Sequence, residues 1–373
     1  MKISSSLVAI FALHVLASGI AAQSPAPEIT LSKPDAEFAE PFSEIASIRE
    51  LRDGRVIVVD TRERVLKLVD FGRTSASMIG HKGAGPGEYR APLSVFPLPA
   101  DSSVVFDGGR TGLLLLGPDG KPGDFVSTAT LGTSEGMVTR FVPSRSDSSG
   151  RLYATGVPFR MTPNGPQHAD SSSIVRWTRG TPEVETVTFI RNRSLRDRGG
   201  DVDPVMALFS TVIPYVVGDQ WAVDRDGRIA ILRYDNYRVD FVEPSGRRVP
   251  GTPIPFARVR VSEAHKESWR DQERVRLAGS PGGGFKEPAR WPDFLPPFLN
   301  RPAIFSPDGM LWVRRTGAAD APPLYDVIDK TGRVSSRVTL APRSRVVGFS
   351  RGWIYIVRRD QDDLEYLQRF QTR

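Results

Sequence analysis

The side chains in this sequence best equipped for chemistry are three histidines, a pair of aspartates and an aromatic stretch rich in arginine. His81, His168 and His265 offer imidazoles as metal ligands or proton carriers, but none has a second ligand at helical or Cys-x-x-Cys spacing. They would act together only if the fold brought them together, and surface positions are the simpler expectation. Asp201 and Asp203, in Gly-Gly-Asp-Val-Asp-Pro, carry oxygens suited to Ca²⁺, yet the stretch lacks the third acid and closing glutamate of a calcium loop. Trp269, Arg290 and Trp291 belong to a region dense in aromatics and proline, a composition suited to a ligand site, to a protein interface or to plugging a channel. The chain has no cysteine, no Gly-x-Ser-x-Gly and no His-Glu-x-x-His, so no residue is marked as a catalytic nucleophile or zincin ligand.

A glycine-rich stretch, Gly80-His-Lys-Gly-Ala-Gly-Pro-Gly-Glu-Tyr-Arg-Ala-Pro92, invites a phosphate-binding reading. A phosphate loop ends in Gly-Lys-Ser or Gly-Lys-Thr and opens a helix, and neither follows here. The stretch instead lies between two apolar runs, as a backbone crossing would.

Those runs belong to a repeat. A tight polar turn followed by an apolar run recurs six times, at Asp53, Ser102, Ser149, Asp226, Asp308 and Arg351, in steps of 49, 47, 77, 82 and 43 residues. The first unit divides into four strands, Ile45 to Leu51, Val56 to Val59, Val65 to Val69 and Ser75 to Ile79; the fourth unit repeats the plan between Trp221 and Ile254. Asp-Gly and Pro-Ser-Gly at the joints are hairpin chemistry. Six such units describe an all-β, six-bladed β-propeller of four-stranded antiparallel blades. The last unit ends after three strands, so an N-terminal strand, Glu28 to Leu31, is expected to supply its fourth and remove an open edge.

The 373 residues divide into a signal peptide, 1–22, with Lys2, an apolar Leu7 to Leu16 and small residues near Ala22, and one propeller domain, 23–373. Export implies a periplasmic or secreted protein, with no membrane span after cleavage. The net charge of +7 comes from 42 arginines and 8 lysines spread without a basic run, which together with export argues against nucleic acid.

In this topology the loops joining second to third strands, and fourth strands to the next blade, open on one face. Every long insertion falls there: 158–172, 191–213, 255–299 and 316–323. Clustered insertions mark the binding face of a repeat fold, or else cap its channel. Within the longest, Ser262 is placed to cap a helix running to about Leu277.

Residues 80–117, with the Gly-Pro-Gly-aromatic crossing, a proline, a turn and a strand ending in Asp107, resemble the NHL-repeat pattern; Asp235-Asn-Tyr-Arg-Val239 is similar to the family's turn between second and third strands. Gly109-Arg-Thr-Gly112 departs from it by lacking the asparagine. The resemblance implies a six-bladed propeller of a bacterial exported protein. Two functions follow as expectations. One is a non-catalytic propeller binding a protein, peptide or glycan through its elaborated face, with no cofactor. The other, suggested by similar propellers, is a metal-dependent lactonase or lyase with Ca²⁺ or a related ion at the axis.

Overall fold

The computed structural model describes residues 26–129, 131–133, 141–156, 159–162, 165–192, 213–277, 285–288 and 290–372. Its strands form six four-stranded antiparallel blades in a ring, with one α-helix, Glu263–Leu277, among the described residues. The second strand of each blade reads as a continuous apolar run because it is buried on both faces. Val56–Asp60 and Ser103–Asp107 are buried at every residue. Along the first of these, Val56 and Val58 pack toward blade six while Ile57 and Val59 pack toward blade two. Six hydrophobic clusters result, one at each blade-to-blade interface.

The hairpin turns follow from local chemistry. At Leu51 to Arg55, Leu51 N–H donates to Arg55 O at 2.7 Å, and Gly54 takes φ 87°, which a side chain resists. Equivalent turns recur on this face of the ring, leaving it compact.

Closure differs from the expectation in one respect. The N-terminal chain does close blade six, but the pairing strand is Ala36–Glu37, antiparallel to Glu365–Gln371. Glu28–Leu31 instead lies parallel on Val334–Leu340 as a fifth, outermost strand of blade five. Its sequence suits either edge. The deciding residues are Phe38 and Phe42, only 1% and 2% exposed, which sink between blades six and one and fix where the chain must arrive.

Glu37 adds an ionic clasp, accepting from Arg358 at 3.0 Å and from Gln368 at 2.6 Å. Burial raises its pKa, but these two partners outweigh it and leave the carboxyl below the usual glutamate value of 4.5. A depressed carboxylate stabilises the fold above its unfolded pKa and loses that contribution as pH falls through the folded value. The melting-temperature gap between wild type and Glu37→Gln should therefore be open at neutral pH and close as pH drops below 4.5. A gap independent of pH would assign the clasp to packing alone.

Candidate functional site

The elaborated face is assembled from the crossing segments. The glycine-rich stretch is such a crossing, between blades one and two. Glu88 turns back to accept Gly85 N–H at 2.6 Å and meets His81 Nε2 at 2.7 Å. Tyr89 is fully buried, and its hydroxyl accepts Leu66 N–H at 3.1 Å. A Cβ at Gly83 would stand 1.9 Å from Glu88 Oε2, so a side chain there would push the carboxylate out of this arrangement. His81 remains largely exposed beside that knot.

Over blades four and five the longest insertion builds a small unit of its own. The helix Glu263–Leu277 forms where Ser262 caps it, with Glu267–Arg270 at 3.0 Å and Asp271–Arg274 at 2.7 Å along its exposed side. His265 is its buried residue. Ser262 N–H donates to Nδ1 at 3.1 Å, so that nitrogen is unprotonated and Nε2–H donates to Gly317 O at 3.0 Å. Nδ1 thus closes the helix's own cap, and Nε2 joins the helix to the 316–323 loop. Tyr215 donates to His265 O at 2.5 Å and packs against the Trp291 ring, which meets Trp269 edge-on at 5.4 Å. Arg270 lies over the Trp291 ring and pairs with Glu287 at 2.8 Å. His265, Trp269 and Trp291 are thus brought into one cluster, while Arg290 stands exposed at its margin.

The end of this insertion does not drop into the channel. Phe298 is fully buried between blades four and five, in one cluster with Tyr237, Ile254 and Leu311. Replacing His265 by alanine should leave the propeller folded, with a loss of about 1–2 kcal/mol from two hydrogen bonds, and make 263–277 the first site of limited proteolysis. Cleavage no faster than in wild type would show that the aromatic cluster alone holds the helix.

His168 ends a short strand, Gly165–His168, paired with Phe159–Thr162, and its side chain lies outside the described residues, as do Asp201 and Asp203. His81 and His265 stand on different crossings. Among the described residues no group of three or more histidine, aspartate or glutamate side chains is placed to hold a metal ion.

What the sequence did not announce is how the acids near this face are used. Three fully buried carboxylates are each held by two arginines: Asp219 by Arg191 and Arg233, Asp326 by Arg315 and Arg337, and Glu365 by Arg345 and Arg359. The Asp326 and Glu365 trios each keep one positive charge in excess, whereas the arginines of the first have further acids, Asp235 for Arg191 and Asp240 for Arg233. Asp60 and Asp107 do a neutral version of the same work at the ends of second strands, accepting backbone N–H groups of Ser43 and Glu44, and of Arg90 and Ala91. The only signal for them was the strand-ending aspartate of the repeat.

Near the axis Arg145, on the inner strand of blade three, reaches past blade four to the carbonyl of Ala303 on blade five. Its other described partner is the Ser144 carbonyl, at 2.7 Å. A cavity of about 1290 Å³ opens on the opposite, compact face between blades five and six, walled by Ile29 to Asp35 and floored by Trp312, Val338 and Phe370.

No protein-family model matches the sequence, and no curated protein matches it at a significant level. Solved structures do. A member of the DUF4221 family from Bacteroides vulgatus is similar over 91% of this chain and 98% of its own, with 9% identity and a TM-score of 0.50. Regucalcin, a calcium-binding protein from Agrobacterium tumefaciens, aligns over 93% and 97% at 12% identity and TM-score 0.41. The gluconolactonase XC5397 from Xanthomonas campestris aligns over 90% and 91% at 10% and 0.42. At these identities the likeness is one of fold. No helix among the described residues is long and apolar enough to cross a membrane.

Proposed function

We propose that this chain is an exported, periplasmic or secreted, propeller that binds a protein, peptide or glycan through its elaborated face and performs no chemistry on it. The asymmetry of the two faces carries this reading. One face is tight turns, and the other bears every long crossing, including a helix and an aromatic cluster fastened by Ser262, His265 and Tyr215. A fastened, irregular surface on a rigid ring is how repeat folds present recognition loops. The edge formed by Trp269, Arg290 and Trp291 supplies the residue types that anchor interfaces.

The competing reading is a metal-dependent lactonase or lyase, after neighbours such as the gluconolactonase. It needs three or more oxygen or nitrogen donors converging on the axis, whereas Asp219, Asp326 and Glu365 are already engaged by arginines. Metal content of protein purified without chelator, followed by melting with and without EDTA, separates the two. One tightly held Ca²⁺ per chain, with a large EDTA-induced drop, would overturn the binding reading. Without metal, wild type should pick out related members of immobilised peptide and glycan libraries, and a Trp269→Ala, Arg290→Ala, Trp291→Ala variant should lose them.

A further inference from the structure

Among the described residues the axial channel holds two guanidiniums with no acid paired to them. Arg145 crosses the channel from blade three and meets only carbonyl oxygens, those of Ser144 and Ala303, among the described residues. Arg301, at the start of blade five's inner strand, has an exposed side chain for which the described residues provide no partner. Its backbone is held in an unusual conformation, φ 51°, with its N–H donated to Gln220 Oε1 at 2.9 Å. Gln220, on blade four's inner strand, in turn donates to the Asp219 carbonyl at 3.2 Å. The nearest acid along that strand, Asp219, is consumed by Arg191 and Arg233. Three consecutive blades thus place two guanidiniums at the channel and spend the neighbouring carboxylate elsewhere.

A guanidinium partly withdrawn from water is costly unless an anion faces it. Arg145 shows that cost: burial, and then the nearby charge of Arg301, pull its pKa down to about 10. It stays charged at neutral pH, in a less favourable state than in water. Planar guanidiniums suit oxyanions, which they bind through paired N–H donors.

We propose that the channel wall formed by blades three, four and five is an oxyanion site, in which Arg145 and Arg301 receive a carboxylate, phosphate or sulfate group of the ligand and Gln220 positions Arg301. This deepens the binding reading and rests on it: the ligand carries an acidic group that enters the channel.

The test is thermal melting of the full chain, titrated with inorganic phosphate, sulfate or citrate, with chloride holding ionic strength constant. An anion bound only by the folded state raises the melting temperature saturably. The expected result is such a rise in wild type, with an apparent affinity at least tenfold weaker in Arg145→Met and in Arg301→Met, as loss of a charged hydrogen bond implies. Arg145→Met should melt no lower than wild type in chloride, because it removes an unpaired cation, whereas a purely structural strut would melt lower. Should Arg145→Met prove unstable, Arg301→Met decides. A larger response to phosphate and sulfate points to a phosphorylated or sulfated ligand, and a larger response to citrate to a carboxylate. No saturable rise in wild type, or an equal rise in both variants, overturns the site. Because free anions are used, that failure would leave library binding intact, whereas loss of library binding with the anion response retained would remove only the macromolecular ligand.

Discussion

A chain truncated through Phe42 is expected not to fold, whereas one truncated only through Leu31 should fold and melt a few degrees lower. The shorter deletion removes Glu28–Leu31, mostly exposed, from the outer edge of blade five and opens the cavity beneath it. The longer one removes the seam of the ring. It takes away the backbone bonds of Asp35 to Arg369, Phe38 to Leu367, and Phe42 with Glu365 in both directions, each between 2.8 and 3.0 Å. It also empties the sites of Phe38 and Phe42 between blades six and one. Two buried phenylalanines are worth about 3–5 kcal/mol each, and four backbone bonds about 0.5–1.5 each. Together these match the roughly 5–15 kcal/mol by which a whole domain is stable. Because every blade leans on its neighbours, an opened seam exposes two apolar faces at once. Circular dichroism melts of the two truncations test this. Cooperative melting of the longer truncation within a few degrees of wild type would show that the ring holds without its seam.

The architecture was legible because it is written locally and six times over: turn residues every few tens of positions, and apolar runs between them. The seam was legible only in outline. An incomplete last unit demands a partner from the other end, but two N-terminal segments compete for it. Glu28–Leu31 looks more like a strand than Ala36–Glu37. The winner was set by Phe38 and Phe42, whose burial depends on the curvature of the closed ring and not on their own alternation. The insertion helix could be placed from Ser262 because its cap is local. The role of His265 could not, since its second partner, Gly317, lies on a separate loop, between the second and third strands of blade five. The arginine-held carboxylates were hidden for a similar reason. With 42 arginines spread through the chain, nothing in the sequence says which few meet a buried acid.

Asp326→Ala should cost about 3–5 kcal/mol, the largest loss expected from any single replacement of a charged side chain on this face. The carboxylate is fully buried on the third strand of blade five. One oxygen accepts the Tyr237 hydroxyl and Arg315 Nη1, each at 2.7 Å; the other accepts Arg337 Nε at 3.2 Å. Alanine would strand Arg315, whose side chain is 8% exposed, and leave the Tyr237 hydroxyl unbonded inside the blade four–five interface. Arg315 also donates to Pro297 O at 3.0 Å, so the damage should spread to the end of the insertion that seats Phe298. Tyr237→Phe removes one donor to a charged acceptor and should cost about 1.5–3 kcal/mol. The triple variant Asp326→Leu, Arg315→Met, Arg337→Met replaces the trio with apolar volume and should recover most of the loss, because a buried ion cluster is held together by geometry more than by net gain. Urea unfolding of the four proteins measures all of this. A loss below about 1 kcal/mol for Asp326→Ala would mean that water reaches the stranded arginine and that the carboxylate is not the keystone of this interface.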